Sequence, residues 1–241
     1  MSAYEHLAHF YDQLTEDVDY TALADYYAHQ IAADGRVPEL VLDLACGTGR
    51  LTRLLAERGH QMIGVDASAQ MLSQAAAQGG DILYLHQSLT ELDLYGTVDA
   101  AVCSLDGMNY LSPNELETAL GRIFLFLAPG AVFAFDLNTP EKLVGQDGAI
   151  FCDERGDILC LWRCAFDPEE RTCYYDFDLF TPTGDLWTRQ SETHIEYAYT
   201  GAEIQAALEG AGFCEISITG DPADIPPGTK AGRIFISAVK P

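Results

Sequence analysis

Basic residues are scarce: 13 Lys and Arg stand against 37 Asp and Glu in 241 residues, a formal charge of -24. A chain so poor in cations lacks the basic stripe from which nucleic-acid binders draw affinity, and its field repels phosphate backbones. The acids are dispersed, so they read first as a solvated surface and second as a field favouring cationic or amine ligands. Long apolar runs are also missing, and none nears the ~18 residues of a membrane span. The opening stretch MSAYEHLAHFYDQLTEDVDY has neither a basic leader nor an apolar core, which argues against a secretory signal and for the cytoplasm.

The seven cysteines include no Cys-x-x-Cys pair. An odd number without a leader argues against a disulfide framework, so they read as reduced thiols, mostly buried. His6, His9, His29 and His60 show no ligand spacing, and no metal is assigned. Nothing in the pattern separates a monomer from a homodimer.

From about residue 39 to about 137, short apolar runs alternate with helical patterns. Glu39–Ala45, Met62–Val65, Ile82–His86, Val98–Ser104 and Ala131–Phe135 read as strands. Arg50–Arg58 and Ala69–Gln78 read as helices stopped by glycines, and a third helix opens with Ser112, Pro113 and Glu115, a capping box. Strands alternating with crossover helices predict a Rossmann-like, doubly wound, mostly parallel α/β sheet. From about 150 to 199 the period becomes two, in ILCLWRCAF, RTCYYDFDLF and DLWTRQSETHIEYAY. That predicts an antiparallel β lid inserted into the α/β domain. A helix over Ala202–Glu209 and strands Phe213–Thr219 and Arg233–Val239 follow. The expected organisation is one domain over 1–241, with an N-terminal helical lid over about 1–35 and the inserted lid over about 150–199.

Small residues end the first strand, in VLDLACGTGR (41–50), where open α/β sheets hold their ligands. A Walker loop would need Lys and then Ser or Thr after the last glycine, but Arg50 and Leu51 stand there. A dinucleotide fingerprint would need a third glycine where Thr52 stands, which weakens NAD(P)-dependent oxidoreduction as an alternative. A nucleoside cofactor without phosphates, S-adenosylmethionine (SAM), needs only close backbone approach. Asp66, closing the second strand, can accept both ribose hydroxyls; its bland reading is a cap for the next helix.

VLDLACGTGRLT, GVDASAQML and LFLAPGAVFAFDLN together resemble class I SAM-dependent methyltransferases, over nearly the whole chain. The likeness is to small bacterial members with an antiparallel lid after the fifth strand. It implies that Asp43, Ala45, Cys46, Gly47 and Gly49 line the methionine end of SAM, that Asp66 holds the ribose, and that Ala67 and Met71 lie near the adenine. Ser88 stands where the family often has an acid for the adenine amino group, so Gln87 or backbone would substitute. Ser104, Leu105 and Asp106 would border cofactor and substrate, and Tyr11, in Phe10-Tyr11-Asp12, would approach the sulfonium.

The expected reaction is methyl transfer to a small-molecule amine or hydroxyl, with transfer to RNA or protein as an alternative and SAM binding without transfer as a rival. Tyr11, Asp106 and His194 are the catalytic candidates. His194 has the pKa range of a base if it faces the pocket, though the outer face of its strand is the favoured placement. Asn109 and Tyr110, beyond the fourth strand, and Trp162, Arg163 and Tyr197 in the meander are candidates for acceptor binding; buried aromatics in a small sheet are more often core. Asp106-Gly107-Met108-Asn109-Tyr110 is not the N/D-P-P-Y motif of nucleic-acid amino-methyltransferases.

Overall fold

In the computed structural model, residues 4, 7–32, 35, 37–220 and 232–241 are described. His6 lies outside them.

The parallel half begins at β1 (Leu40–Leu44) and α3 (Arg50–Glu57), after the short α1 (Tyr11–Leu14) and α2 (Tyr20–Ile31). It continues through β2 (Gln61–Asp66), α4 (Ala69–Ala77), β3 (Leu83–His86), β4 (Val98–Cys103), α5 (Pro113–Phe126) and β5 (Leu127–Asn138). Two of these helices start where side chains supply a cap. Ser68 accepts from the Met71 N–H to start α4, and Ser112 with Glu115 closes the expected capping box of α5. Asp66 is therefore not the cap of α4; its Oδ1 instead accepts from the Ser68 N–H at 2.8 Å.

With β10 (Cys214–Gly220) and β11 (Arg233–Val239) the sheet has seven strands, ordered β10-β11-β5-β4-β1-β2-β3. Among the described strands of this sheet β11 alone is reversed in direction, pairing antiparallel with both β5 and β10. Strand order reverses at β1, which lies between β2 and β4. Apolar side chains cover both faces. Leu116, Leu120 and Ile123 of α5 pack on one face with α7 (Gly201–Ala211), and Tyr27, Leu51 and Leu55 of α2 and α3 pack on the other. Each fully buried leucine contributes roughly 1.5–3 kcal/mol.

After β5, α6 (Pro140–Gly145) leads into a second sheet of four antiparallel strands, β6 (Ile150–Arg155), β7 (Ile158–Asp167), β8 (Thr172–Thr183) and β9 (Leu186–Tyr197), in chain order. The pattern predicted three of these strands. β6 was hidden because its first three residues are exposed and show no alternation. One face of this sheet, with Ile158, Cys160, Phe177 and Leu179, packs against Leu7, Phe10, Tyr11 and Leu14 of the N-terminal segment.

Candidate active site

The loops after β1 and β4 meet at the reversal point. Ala45, Leu105 and Asp106 adopt φ of 51°, 55° and 59°, left-handed values that cost L-residues about 1 kcal/mol each. Asp136 on β5 holds two of them: its carboxylate accepts from the Leu105 N–H at 2.8 Å and the Asp106 N–H at 3.1 Å. The same carboxylate accepts from the Tyr27 hydroxyl at 2.5 Å and pairs with Arg233. Gly107 lets the loops touch, because a Cβ there would sit 2.7 Å from Cys103 Sγ and 3.0 Å from Ala45 Cβ.

Between the loops lies a cavity of about 350 Å³, mostly apolar in its walls. Of the residues singled out for a cofactor, Tyr11, Ala45, Cys46, Gly47, Asp66, Ala67, Met71, Ser88 and Ser104 line it. Gly47, at φ 55°, leaves room rather than filling it: an added Cβ would find only Met71 Sδ, at 4.0 Å. Asp66 Oδ2 accepts from the Gly47 N–H at 2.8 Å, which ties the end of β2 to the glycine loop. Burial raises the Asp66 pKa, and the Ser68 and Gly47 N–H groups pull it back.

Three cofactor candidates occupy other places. Gly49 is not on the wall. It caps α3 at φ 70°, and a Cβ there would sit 2.4 Å from the Tyr84 hydroxyl, so its missing side chain serves packing. Asp43 lies buried behind the loop; its Oδ2 accepts from Thr52 Oγ1 at 2.6 Å, and its Oδ1 is buried with no partner. Burial pushes the Asp43 pKa up to about 7, opposed by the Thr52 hydroxyl. Thr52, in the place of the third glycine, is thus a ligand of Asp43. Gln87 is withdrawn from the cavity: its side-chain amide donates to the Asp93 carbonyl at 3.1 Å and accepts from the Asp93 N–H at 3.0 Å.

A second cavity, of about 520 Å³, lies under the four-stranded sheet and shares Tyr4, Tyr11 and Tyr110 with the first. Asp106, Trp162 and His194 line it, as does a group the pattern did not single out: Asn138, Lys142, Tyr175 and Glu196. Asp106 Oδ1 accepts from Arg233 at 2.6 Å, so this carboxylate is held by a guanidinium. Glu196 accepts from Asn138 Nδ2 at 2.7 Å, and Lys142 donates to Asn138 Oδ1 at 2.7 Å. Burial and then the charge of Asp106 push the Glu196 pKa up to about 8, while burial lowers that of Lys142.

Several acceptor candidates face elsewhere. His194 is on the inner face, not the outer one, because β9 alternates: Glu192, His194 and Glu196 are buried while Thr193 is exposed. Side chains i, i+2 and i+4 of a strand share a face, so the ETHIEY pattern held this information. Arg163 points outward by the same alternation and pairs with Asp178 at 2.8 Å, leaving its neighbour Trp162 to the cavity. Asn109 is fully buried and spent on the backbone: it donates to the Asn138 and Tyr197 carbonyls and accepts from the Asn138 N–H. The Tyr197 side chain packs against the α5 core instead of entering the cavity.

Residues 41–130 match the family model of a methyltransferase domain. A putative methyltransferase of Bacillus subtilis, YqeM, is 30% identical over 98% of this chain and 97% of its own. A SAM-dependent methyltransferase of Clostridium acetobutylicum, known as a crystal structure, superposes with a TM-score of 0.84 at 26% identity, over 99% of both chains. The SAM-bound amino pentose methyltransferase CalS10 of Micromonospora echinaspora shares the fold, with a TM-score of 0.79 at 20% identity over 100% of this chain and 99% of its own.

Proposed function

Because the chain belongs to the class I SAM-dependent methyltransferases, we propose that it moves the methyl group of SAM onto a small-molecule amine or hydroxyl lodged in the second cavity. The observation that carries this reading is the seam of three tyrosines, Tyr4, Tyr11 and Tyr110, shared by the two cavities. Small means a ligand suited to about 520 Å³, within the usual range for small-molecule sites. The -24 charge speaks against RNA as the acceptor, since a phosphate backbone would have to approach an acidic surface.

The residues present fit the cofactor. Asp66 has both oxygens fixed by backbone N–H groups at the end of β2, the geometry that presents a carboxylate to a ribose diol. Ala67, Met71 and Leu89 give the apolar wall for the adenine, with Ser88 at its edge; the Ser88 hydroxyl is already shared with Thr90 and Glu91. Gly47 and Ala45 leave the backbone open toward the methionine end. Asp43 Oδ1 is a buried acceptor without a donor behind that end. When bound, SAM supplies a sulfonium methyl for in-line displacement.

The protein's own part is to align the acceptor and exclude water. Tyr11 and the N-terminal segment form a lid over the seam, and the four-stranded sheet forms the roof of the acceptor cavity. Asp106, clamped by Arg233, and Glu196, clamped by Asn138, orient the acceptor's polar groups. The test has two steps. Calorimetric titration with SAM, S-adenosylhomocysteine and NADH, repeated on Asp66→Ala, is expected to give micromolar adenosyl binding lost in the variant. Transfer of labelled methyl is then screened against small amines, small alcohols, bulk RNA and bulk protein. Label on RNA or protein alone would overturn the small-acceptor reading.

A further inference from the structure

On the inner face of β9, both ring nitrogens of His194 are engaged although the side chain is only 2% exposed. Nδ1 lies 3.2 Å from the Tyr110 hydroxyl, and Nε2 lies 3.2 Å from Glu192 Oε2. The Tyr110 hydroxyl is in turn 2.7 Å from that of Tyr4, and the Tyr4 backbone N–H donates to the same Glu192 oxygen at 3.0 Å. The rings of Tyr4, Phe177 and Trp162 enclose the imidazole, with Tyr4 nearest at 4.4 Å between centroids. Tyr4, Tyr110 and Glu192 contact it, Tyr175 is its cross-strand partner on β8, and Tyr11, Asp106, Lys142, Asp153, Arg155 and Glu196 line the cavity with it.

We propose that Tyr110, His194 and Glu192 form a relay that takes up the proton released by the methyl acceptor, with Tyr110 touching the acceptor and His194 storing the proton. The inference rests on the reading that the acceptor sits in the second cavity beside Tyr110. A carboxylate against Nε2 keeps the proton on that nitrogen and leaves Nδ1 as an acceptor. The Tyr110 hydroxyl then donates to Nδ1 and accepts from the Tyr4 hydroxyl, which leaves its remaining lone pair for the acceptor's proton.

The step balances without another reactant. The acceptor's N–H or O–H bond breaks as its bond to the methyl carbon forms, and the carbon–sulfur electron pair stays on sulfur. The acceptor's proton goes to the Tyr110 oxygen, and the proton of Tyr110 passes to His194 Nδ1. The resulting imidazolium is compensated by the Glu192 carboxylate. Burial, and then the neighbouring Tyr4, push the Tyr110 pKa far upward, so this tyrosine stays neutral and conducts the proton rather than keeping the charge. His194 and Glu192 therefore act as positioning and storage groups behind Tyr110.

Nitrogen-15 histidine NMR across a pH series tests this on the full chain, free and saturated with S-adenosylhomocysteine. The expected spectrum has His194 in the Nε2–H tautomer and gaining a second proton reversibly while the protein remains folded. Glu192→Gln is expected to lower the share of the Nε2–H tautomer, because the carboxylate that holds that proton is gone. Tyr110→Phe is expected to shift the Nδ1 resonance toward that of a free imidazole nitrogen. A His194 in the Nδ1–H tautomer overturns the relay, because Nδ1 could not then take a proton from Tyr110. A His194 that stays neutral until the protein unfolds overturns it as well, since that is the behaviour of a purely structural tie. The unmodified sequence decides both points, so no variant need fold. Calorimetry on the same samples reports on cofactor binding separately, and the free protein still gives the tautomer if that binding is absent.

Discussion

Thr48 Oγ1 donates to Asp12 Oδ1 at 2.5 Å, joining the glycine loop of the first cavity to the α1 segment over it. This bond connects the wall of the cavity to its cover. Asp12 belongs to the FYD stretch and Thr48 to CGTGR, 36 residues on. Thr48→Val and Asp12→Ala are each expected to weaken SAM binding about fivefold, the value of roughly 1 kcal/mol for such a bond. The double variant is expected to be little worse than either single one, because the pair acts as a unit. Calorimetric titration of the four proteins checks this, and full additivity would mean that the bond does not couple cover to cofactor.

Gly49 gives a test of packing in the loop. Gly49→Ala puts a methyl against Tyr84, whose hydroxyl would be 2.4 Å away, and forces an L-residue to φ 70°. The expected loss is about 2–3 kcal/mol, of which roughly 1 kcal/mol is backbone strain. Adding Tyr84→Ala is expected to recover only the steric part relative to Tyr84→Ala alone. Urea unfolding of the four proteins checks it; an equal loss in both backgrounds would place the whole cost in the backbone.

Asn109 separates a structural amide from a binding one. Its side chain makes three hydrogen bonds to the backbone of Asn138 and Tyr197. Asn109→Ala leaves those groups unmatched in the interior and is expected to cost about 3 kcal/mol or more. SAM affinity of the fraction that stays folded is expected to be unchanged. Thermal unfolding and calorimetry together check the split, and a stable variant with weakened SAM binding would reverse the assignment.

The parallel half of the fold was legible because its signals are local. Apolar runs, glycine stops and the Ser112–Glu115 box each specify an element within a few residues. The wall of the first cavity was legible at Ala45 to Gly47 and at Asp66, where the strand ends set it. Three of the expected residues lie off that wall: Gly49 is packed against Tyr84, which the fold brings up from β3, Gln87 is taken by the nearby Asp93 backbone, and Asp43 is buried behind the loop with Thr52. The second cavity was least legible, since it is assembled from β5, α6 and the second sheet across long sequence distances. Even there the alternation of Glu192, His194 and Glu196 held the orientation of β9. It also placed Trp162 inward and Arg163 outward once one residue of the register was known.

Glu196 links the second cavity to pH through its folded-state pKa of about 8, raised by burial and by Asp106. An unfolded glutamate titrates near ~4.3. The folded state therefore holds this proton more tightly, and the resulting stability is fully present below about pH 4 and lost as pH rises toward 8. Above that, both states are ionised and the cost of a buried carboxylate is complete. Glu196→Gln removes the titration while keeping an acceptor for Asn138 Nδ2. The variant is expected to gain on the order of 2 kcal/mol relative to the parent between about pH 5 and 9. Urea unfolding of both proteins at each pH checks the curve. A difference that does not change with pH would show that Glu196 is ionised throughout and already compensated, by Lys142 through Asn138 or by Arg233 across Asp106. If the expected slope is found, an ammonium acceptor entering the cavity would favour the ionised carboxylate. Its binding is then expected to release about one proton near neutral pH, which calorimetry in buffers of different ionisation enthalpy would count with ethanolamine as the probe.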